Sequence, residues 1–436
     1  MGSKKTGKME EHVRQLQHFQ AYEIQMSRLL GGWLPGISRW EVKHQVGAHL
    51  WEDAQHSREI RTRLWELRTA NPDRGVAEVI LPVINLLAAA QHDYEVLAAI
   101  YLVLKAELIS SYKEYLGSTY VVYDSPTIPM LRKIVADEEE HLGWATQAVA
   151  ELVQSSEAVR NVRRWTEFTH AALRAAGGVS GQERTARIEL PDPPPAYTSL
   201  LPFPEAKRDE RFNVRLDVSP MPDPDDRLGQ VLFQFSNYSM EMQAAETLGS
   251  ILWEVEEMPW EFYYDLARHC ADEVRHSRLG ETRLLELGYH VTEFPHSVGN
   301  YAWRQLIDPM RRYCALTEVI EAGGFEYKHA TYQQHVEHGD TESAQAVLFD
   351  IIDETMHVRF GHKWVPRLIE HYQYDKSNED LIEECRRITE QNSFVPLQRA
   401  SAARMAVRHR RDGADARGRT TIDRPPDEKA PDDQAH

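Results

Sequence analysis

The sequence predicts an all-α protein made of two four-helix bundles in tandem, joined by a proline-rich linker, and three observations carry that expectation. Apolar residues recur at helical spacing along most of the chain, while strand-like alternation is rare. Two segments 220 residues apart, His49 to Leu67 and His269 to Leu287, share nine of nineteen residues and read as copies of one helix. Between the copies the chain turns proline-rich, with Pro191-Asp192-Pro193-Pro194-Pro195 at its centre, as a connector would.

The elements follow in order. Helices are expected over 10–34, 40–68, 76–116 with a break near Pro82, and 129–153, and a further helix over 153–176 completes a first unit, residues 9–176. Residues 177–226 are the linker. The second unit, 227–397, is expected to hold helices over 228–256, 260–287, 301–337 and 341–372, with a short one near 380–392. The tail, 398–436, is charged, proline-containing and poor in apolar residues, which predicts disorder.

The duplication also carries chemistry. Asp53-x-x-His56 stands where the second copy has Glu273-x-x-His276, and an acid three residues before a histidine puts both on one helix face. Downstream, Glu138-x-x-His141 matches Glu354-x-x-His357. Upstream, Gln20-Ala21-Tyr22-Glu23 is paired with Gln243-Ala244-Ala245-Glu246, and Glu107 with Glu321. Each half therefore offers an acid, an acid-x-x-His, an acid and an acid-x-x-His: Glu23, Asp53/His56, Glu107, Glu138/His141, then Glu246, Glu273/His276, Glu321, Glu354/His357. Antiparallel bundles use that order to hold a pair of iron or manganese ions. The motif alone is weak: 68 acids and 20 histidines in 436 residues give about three such pairs by chance, and the chain has nine. The weight lies in four of the nine falling at repeated positions.

Composition bounds the function. At 42% hydrophobic and 27% charged residues the chain reads as an ordinary soluble protein; no run approaches a membrane span, the first residues lack a secretory core, and the cytoplasm is the expected location. Three cysteines form no disulfide framework and no metal-ligand pair. A net charge of −18 disfavours nucleic acid as a partner. Gathering four carboxylates in one core is costly unless cations neutralise them.

On these residues the chain resembles the ferritin-like diiron carboxylate superfamily, over about 140 residues in each half. The second half looks closest to an uncharacterised bacterial ferritin-like family, through Glu241-Met242-Gln243-Ala244-Ala245-Glu246, Ala271 to His276, Val319 to Ala322 and Asp353 to Gly361. The resemblance implies that Glu273 and Glu354 bridge two metals, that Glu246 and Glu321 are terminal, and that His276 and His357 each bind one. It implies a non-haem diiron oxidase or oxygenase that activates O2 to oxidise a small organic substrate, with an electron donor as partner. Ligands of this type suit iron first, and manganese also. An iron-oxidising or iron-binding protein and a metal-poor scaffold are the alternatives, and either is compatible with an oligomer.

The first half departs from the pattern at Asp53, one methylene shorter than glutamate, so the second half is expected to be the reactive one. There Glu321 is followed by Ala322-Gly323-Gly324. Two glycines within a helix cost roughly 2 kcal/mol relative to alanine; open space beside the metals and close helix packing are equal explanations.

Overall fold

An amphipathic helix must bury its apolar face, and in this computed structural model of the protein the helices do so against one another across both halves. The structure describes residues 7–73, 76–181, 189–194, 197–217 and 219–392, so the expected disordered tail, 398–436, lies outside the described residues. The first half contains α1 (Gly7–Trp33), α2 (Trp40–Glu66), α3 (Ala77–Leu87), α4 (Asp93–Leu97), α5 (Ala106–Ser118), α6 (Thr127–Leu152) and α7 (Ser156–Ala175). A π-helical segment, Ala98–Lys105, joins α4 to α5. The second half contains α8 (Arg227–Ser239), α9 (Met242–Glu254), α10 (Trp260–Glu286), α11 (Gly299–Arg304), α12 (Pro309–Cys314), α13 (Ala322–Glu337), α14 (Thr341–His371) and α15 (Asn378–Asn392). A second π-helical segment, Ala315–Glu321, joins α12 to α13. No helix among the described residues is long and apolar enough to cross a membrane.

Three expected helices are divided differently; the one expected over 301–337 breaks at Gln305–Asp308, where the Asp308 carboxylate accepts from the Arg311 backbone N–H and caps α12. Pro82 sits inside α3 without ending it, and the break falls at Ala88–His92, where the Glu95 carboxylate accepts from the backbone N–H groups of Gln91 and His92 and starts the next helix. The expected helix 228–256 is interrupted at Met240–Glu241. Just before the break, Ser236 and Ser239 donate their hydroxyls back to the carbonyls of Phe233 and Ser236, in competition with the helical ladder.

One hydrophobic core cluster runs through both halves. Helices α1 and α2 pack on α9 and α10. The Arg28 guanidinium crosses this interface and donates to the carbonyls of Leu252, Trp253 and Val255, at the end of α9. At the crossing, Gly31 and Gly249 meet: a Cβ on Gly249 would lie 2.4 Å from the Gly31 carbonyl oxygen. Gly249→Ala is therefore expected to cost about 1–3 kcal/mol through forced backbone displacement, read by urea unfolding. An unchanged midpoint would show that the crossing is looser than described.

The linker is not a free spacer. Phe203 packs edge-on against Trp33 and over Gly36, Tyr301 donates its hydroxyl to the Phe203 carbonyl, and β1 (Asn213–Arg215) pairs in parallel with β2 (Pro295–Ser297). Its proline-rich segment thus straps both halves.

Candidate metal centres

In the second half, the i, i+3 geometry of α10 and α14 points Glu273/His276 and Glu354/His357 at one another, and the end of the π-helical segment adds Glu321. Glu273 stands at the centre. Its Oε1 lies 3.3 Å from His357 Nδ1 and 3.7 Å from His269 Nε2, while its Oε2 lies 3.7 Å from His276 Nδ1. One oxygen thus faces a group of His269, Glu321 and His357, and the other faces Glu241 and His276. Glu241 Oε2 is 3.2 Å from His276 Nδ1, and Glu354 belongs with His276 and Asp350.

The buried polar atoms test whether cations fit. Glu241 Oε2, Glu273 Oε1, His276 Nδ1, Glu321 Oε2, Glu354 Oε2 and His357 Nδ1 are all buried without a hydrogen bond. Buried polar atoms are rarely left so, and six from four segments of the chain converge here, a donor set that could hold metal ions. Separations of 3.2–3.9 Å between them compare with the roughly 3 Å edge set by metal–ligand bonds of about 2.1 Å. The opposite ring nitrogens are held from outside: His276 Nε2 meets Asp353 at 3.1 Å and His357 Nε2 meets Asp272 at 3.4 Å. Such outer carboxylates orient metal-binding imidazoles and fix their tautomer. The buried clusters could hold metal ions.

Lys328 borders this centre, donating to Asp350 Oδ1 at 2.7 Å and Glu354 Oε1 at 2.6 Å. Burial pushes the Glu354 carboxyl up to about 8, with Lys328 pulling the other way. His357 is held up to about 10: burial opposes its charging, and Asp272 together with the nearby Glu273 and Glu321 carboxylates outweighs it. His276 is likewise held well above its ordinary value, against burial, by Asp353, Glu241 and Glu273. Protons and cations thus compete for the same atoms. Apparent Mn(II) affinity, measured by calorimetry, is expected to rise from pH 6 toward pH 8, about 10-fold per pH unit for each proton displaced; a flat profile would contradict this protonation pattern.

The first half is built alike but filled differently. His56 Nδ1 lies 3.5 Å from Glu23 Oε2 and 3.3 Å from Glu138 Oε1, and its Nε2 meets Asp137 at 3.2 Å. His141 Nε2 meets Glu52 at 2.5 Å. Into this cluster comes Lys105, completely buried, 2.5 Å from Asp53 Oδ1, 2.7 and 2.9 Å from the oxygens of Glu138 and 3.2 Å from His141 Nδ1.

Ten of the twelve expected ligands converge in these two clusters: Glu23, Asp53, His56, Glu138 and His141, and Glu273, His276, Glu321, Glu354 and His357. Two do not. Glu246 is buried elsewhere, ion-paired with Lys43 of the first half and Arg208 of the linker; Glu241 takes the expected place because the helix breaks beside it. Glu107 turns outward to His170 on α7 at 2.9 Å, because the π-helical segment shifts the helical phase and presents Lys105 inward. Both assignments were legible in spacings. Glu23 and Glu241 each lie eight residues before the crossing glycines Gly31 and Gly249, and Lys105 and Glu321 each lie 36 residues before the last histidine. His269, shared between the repeated helices as His49/His269, also carried a signal; its Nε2 is 2.9 Å from Glu321 Oε1.

Residues 182–406 match a family described as protein of unknown function (DUF455). No curated protein and no solved structure matches the chain.

Proposed function

The chain belongs to the DUF455 family, and we propose that it is a non-haem diiron oxidoreductase of ferritin-like architecture, using O2 to oxidise a small organic substrate in its second half. The observation that supports this most is the set of six buried, hydrogen-bond-free ligand atoms divided by the two oxygens of Glu273. Glu241, Glu273, His276, Glu321, Glu354 and His357 would hold two ions, with Glu273 as the bridge. Carboxylate and imidazole without thiolate favour iron, with manganese second. A reduced iron pair would supply the electrons and open positions for dioxygen activation.

The surrounding residues divide the remaining work. Asp272 and Asp353 fix the imidazoles, and His269 holds Glu321. Lys328 anchors one oxygen of Glu354 and leaves the other directed inward; Asp350 and Glu354 hold its ammonium charged against burial, so it acts as a fixed positive charge beside the ligands. A Cβ on Gly324 would meet only the Lys328 side chain, at 3.7 Å, so α13 leaves open space beside the site. A substrate could approach there, whereas the first half has Glu107 and His170 over the corresponding turn.

Anaerobic Fe(II) loading followed by O2 exposure and Mössbauer spectroscopy tests the reading. A spin-coupled diferric pair per chain, formed once, is expected. Continued uptake of iron would favour an iron-oxidising role, and no bound iron a scaffold. Chelation should destabilise the loaded protein by about 3 kcal/mol for each ion held at 100-fold over its Kd, seen as a lowered Tm.

A further inference from the structure

We propose that the first-half cluster is a one-ion site in which the Lys105 ammonium stands in place of a second ion, so that the chain binds divalent cations in a two-plus-one pattern. The inference concerns cation binding alone and holds whether or not the second half reacts with oxygen.

Position comes first. Lys105 and Glu321 each end a π-helical segment and lie at the same distance from the final histidine. Where the second half has a ligand, the first half therefore has a cation. Its Nζ touches Asp53, Glu138 and His141, the counterparts of Glu273, Glu354 and His357. Both oxygens of Glu138 and the Nδ1 of His141 are engaged by it, whereas the corresponding atoms Glu354 Oε2 and His357 Nδ1 make no hydrogen bond. His49 follows the change. Its counterpart His269 bonds Glu321, but His49 turns to Tyr101 at 3.0 Å and Gln45 at 2.9 Å, because an ammonium cannot accept its proton.

The other position stays open. Glu23 Oε2, Asp53 Oδ2 and His56 Nδ1 are buried and have no hydrogen bond. Together with Glu138 they offer four ligand atoms within 4.8 Å of one another, and Asp137 holds the far nitrogen of His56. Tyr112 fixes the other oxygen of Glu23 at 2.5 Å. Charge agrees with geometry. Three buried carboxylates, Glu23, Asp53 and Glu138, set against one ammonium leave two negative charges, the complement of one divalent ion. In the second half Glu241, Glu273, Glu321, Asp350 and Glu354 against Lys328 leave four, the complement of two.

Mn(II) is the probe. The full chain, loaded anaerobically and desalted, is expected to retain about three Mn per chain by atomic emission, with the EPR sextet of one isolated ion superposed on the signal of a coupled pair. The isosteric Glu23→Gln should lose about one ion and the sextet while keeping the pair. Glu273→Gln should lose the pair and keep the sextet, which separates failure of the second-half assignment from failure of this one. Lys105→Glu should gain a fourth ion and convert the sextet into a second coupled signal. A wild-type count of two that Glu23→Gln leaves unchanged would overturn the proposal, as would a wild-type count of four. Circular dichroism on each variant confirms folding, and Glu23→Gln carries the test if Lys105→Glu does not fold.

Discussion

Glu273→Ala is expected to abolish both the ion pair of the second half and its reaction with oxygen. Glu273 offers one oxygen to His357 and the other to His276, so its loss would remove a donor from both ligand groups at once. Removing even an outer hydrogen-bond partner of a metal ligand costs roughly 10–100-fold in affinity, so losing the bridge should exceed about 100-fold. Mössbauer spectra of iron-loaded variant and wild type measure this directly. A second readout distinguishes ligand loss from unfolding: the isosteric Glu273→Gln keeps the shape of the side chain but withdraws the carboxylate that helps hold His276 and His357 charged. Without metal it should still unfold cooperatively, though at a lower temperature than the wild type, and it should gain less stability on metal addition. Retention of the coupled pair in Glu273→Ala would refute the bridging role.

Glu246→Ala is expected to do the reverse, leaving ion content intact and weakening the fold by about 3–5 kcal/mol, the cost of breaking a buried ion pair. The side chains of Lys43, Arg208 and Glu246 are all fully buried, and Arg208 grips both oxygens of Glu246 at 2.6 and 3.0 Å. Burial already brings Lys43 down to about 7 in spite of Glu246 beside it. Without that carboxylate Lys43 would shed its proton, leaving Arg208 as the stranded charge. Lys43 comes from α2, Glu246 from α9 and Arg208 from the strap, so the triad ties both halves and the linker together. Urea unfolding and metal counting on the same variant decide the matter; loss of ions with unchanged stability would return Glu246 to the metal site.

Within single helices the sequence was sufficient. The 3.6-residue repeat makes acid-x-x-His a fixed geometric object, so Asp53/His56, Glu138/His141, Glu273/His276 and Glu354/His357 could be placed on inward faces without a fold. Helical content and the internal repeat were legible for the same reason, since periodicity and self-similarity are properties of the chain alone. The sequence offered competing spacings for the residues that precede each acid-x-x-His, and tertiary structure chose between them. A break or a π-helical turn rotates everything after it by about 100° per residue, and neither announces itself in composition. That is why Glu241 replaced Glu246 and Lys105 replaced Glu107 at the clusters. The shared core and the strapped linker were likewise beyond the sequence, because burial of one half against the other depends on which faces meet, as at Gly31 and Gly249. Local spacing determined which side chains could bind a cation; packing decided which of them met, and where a lysine took an ion's place.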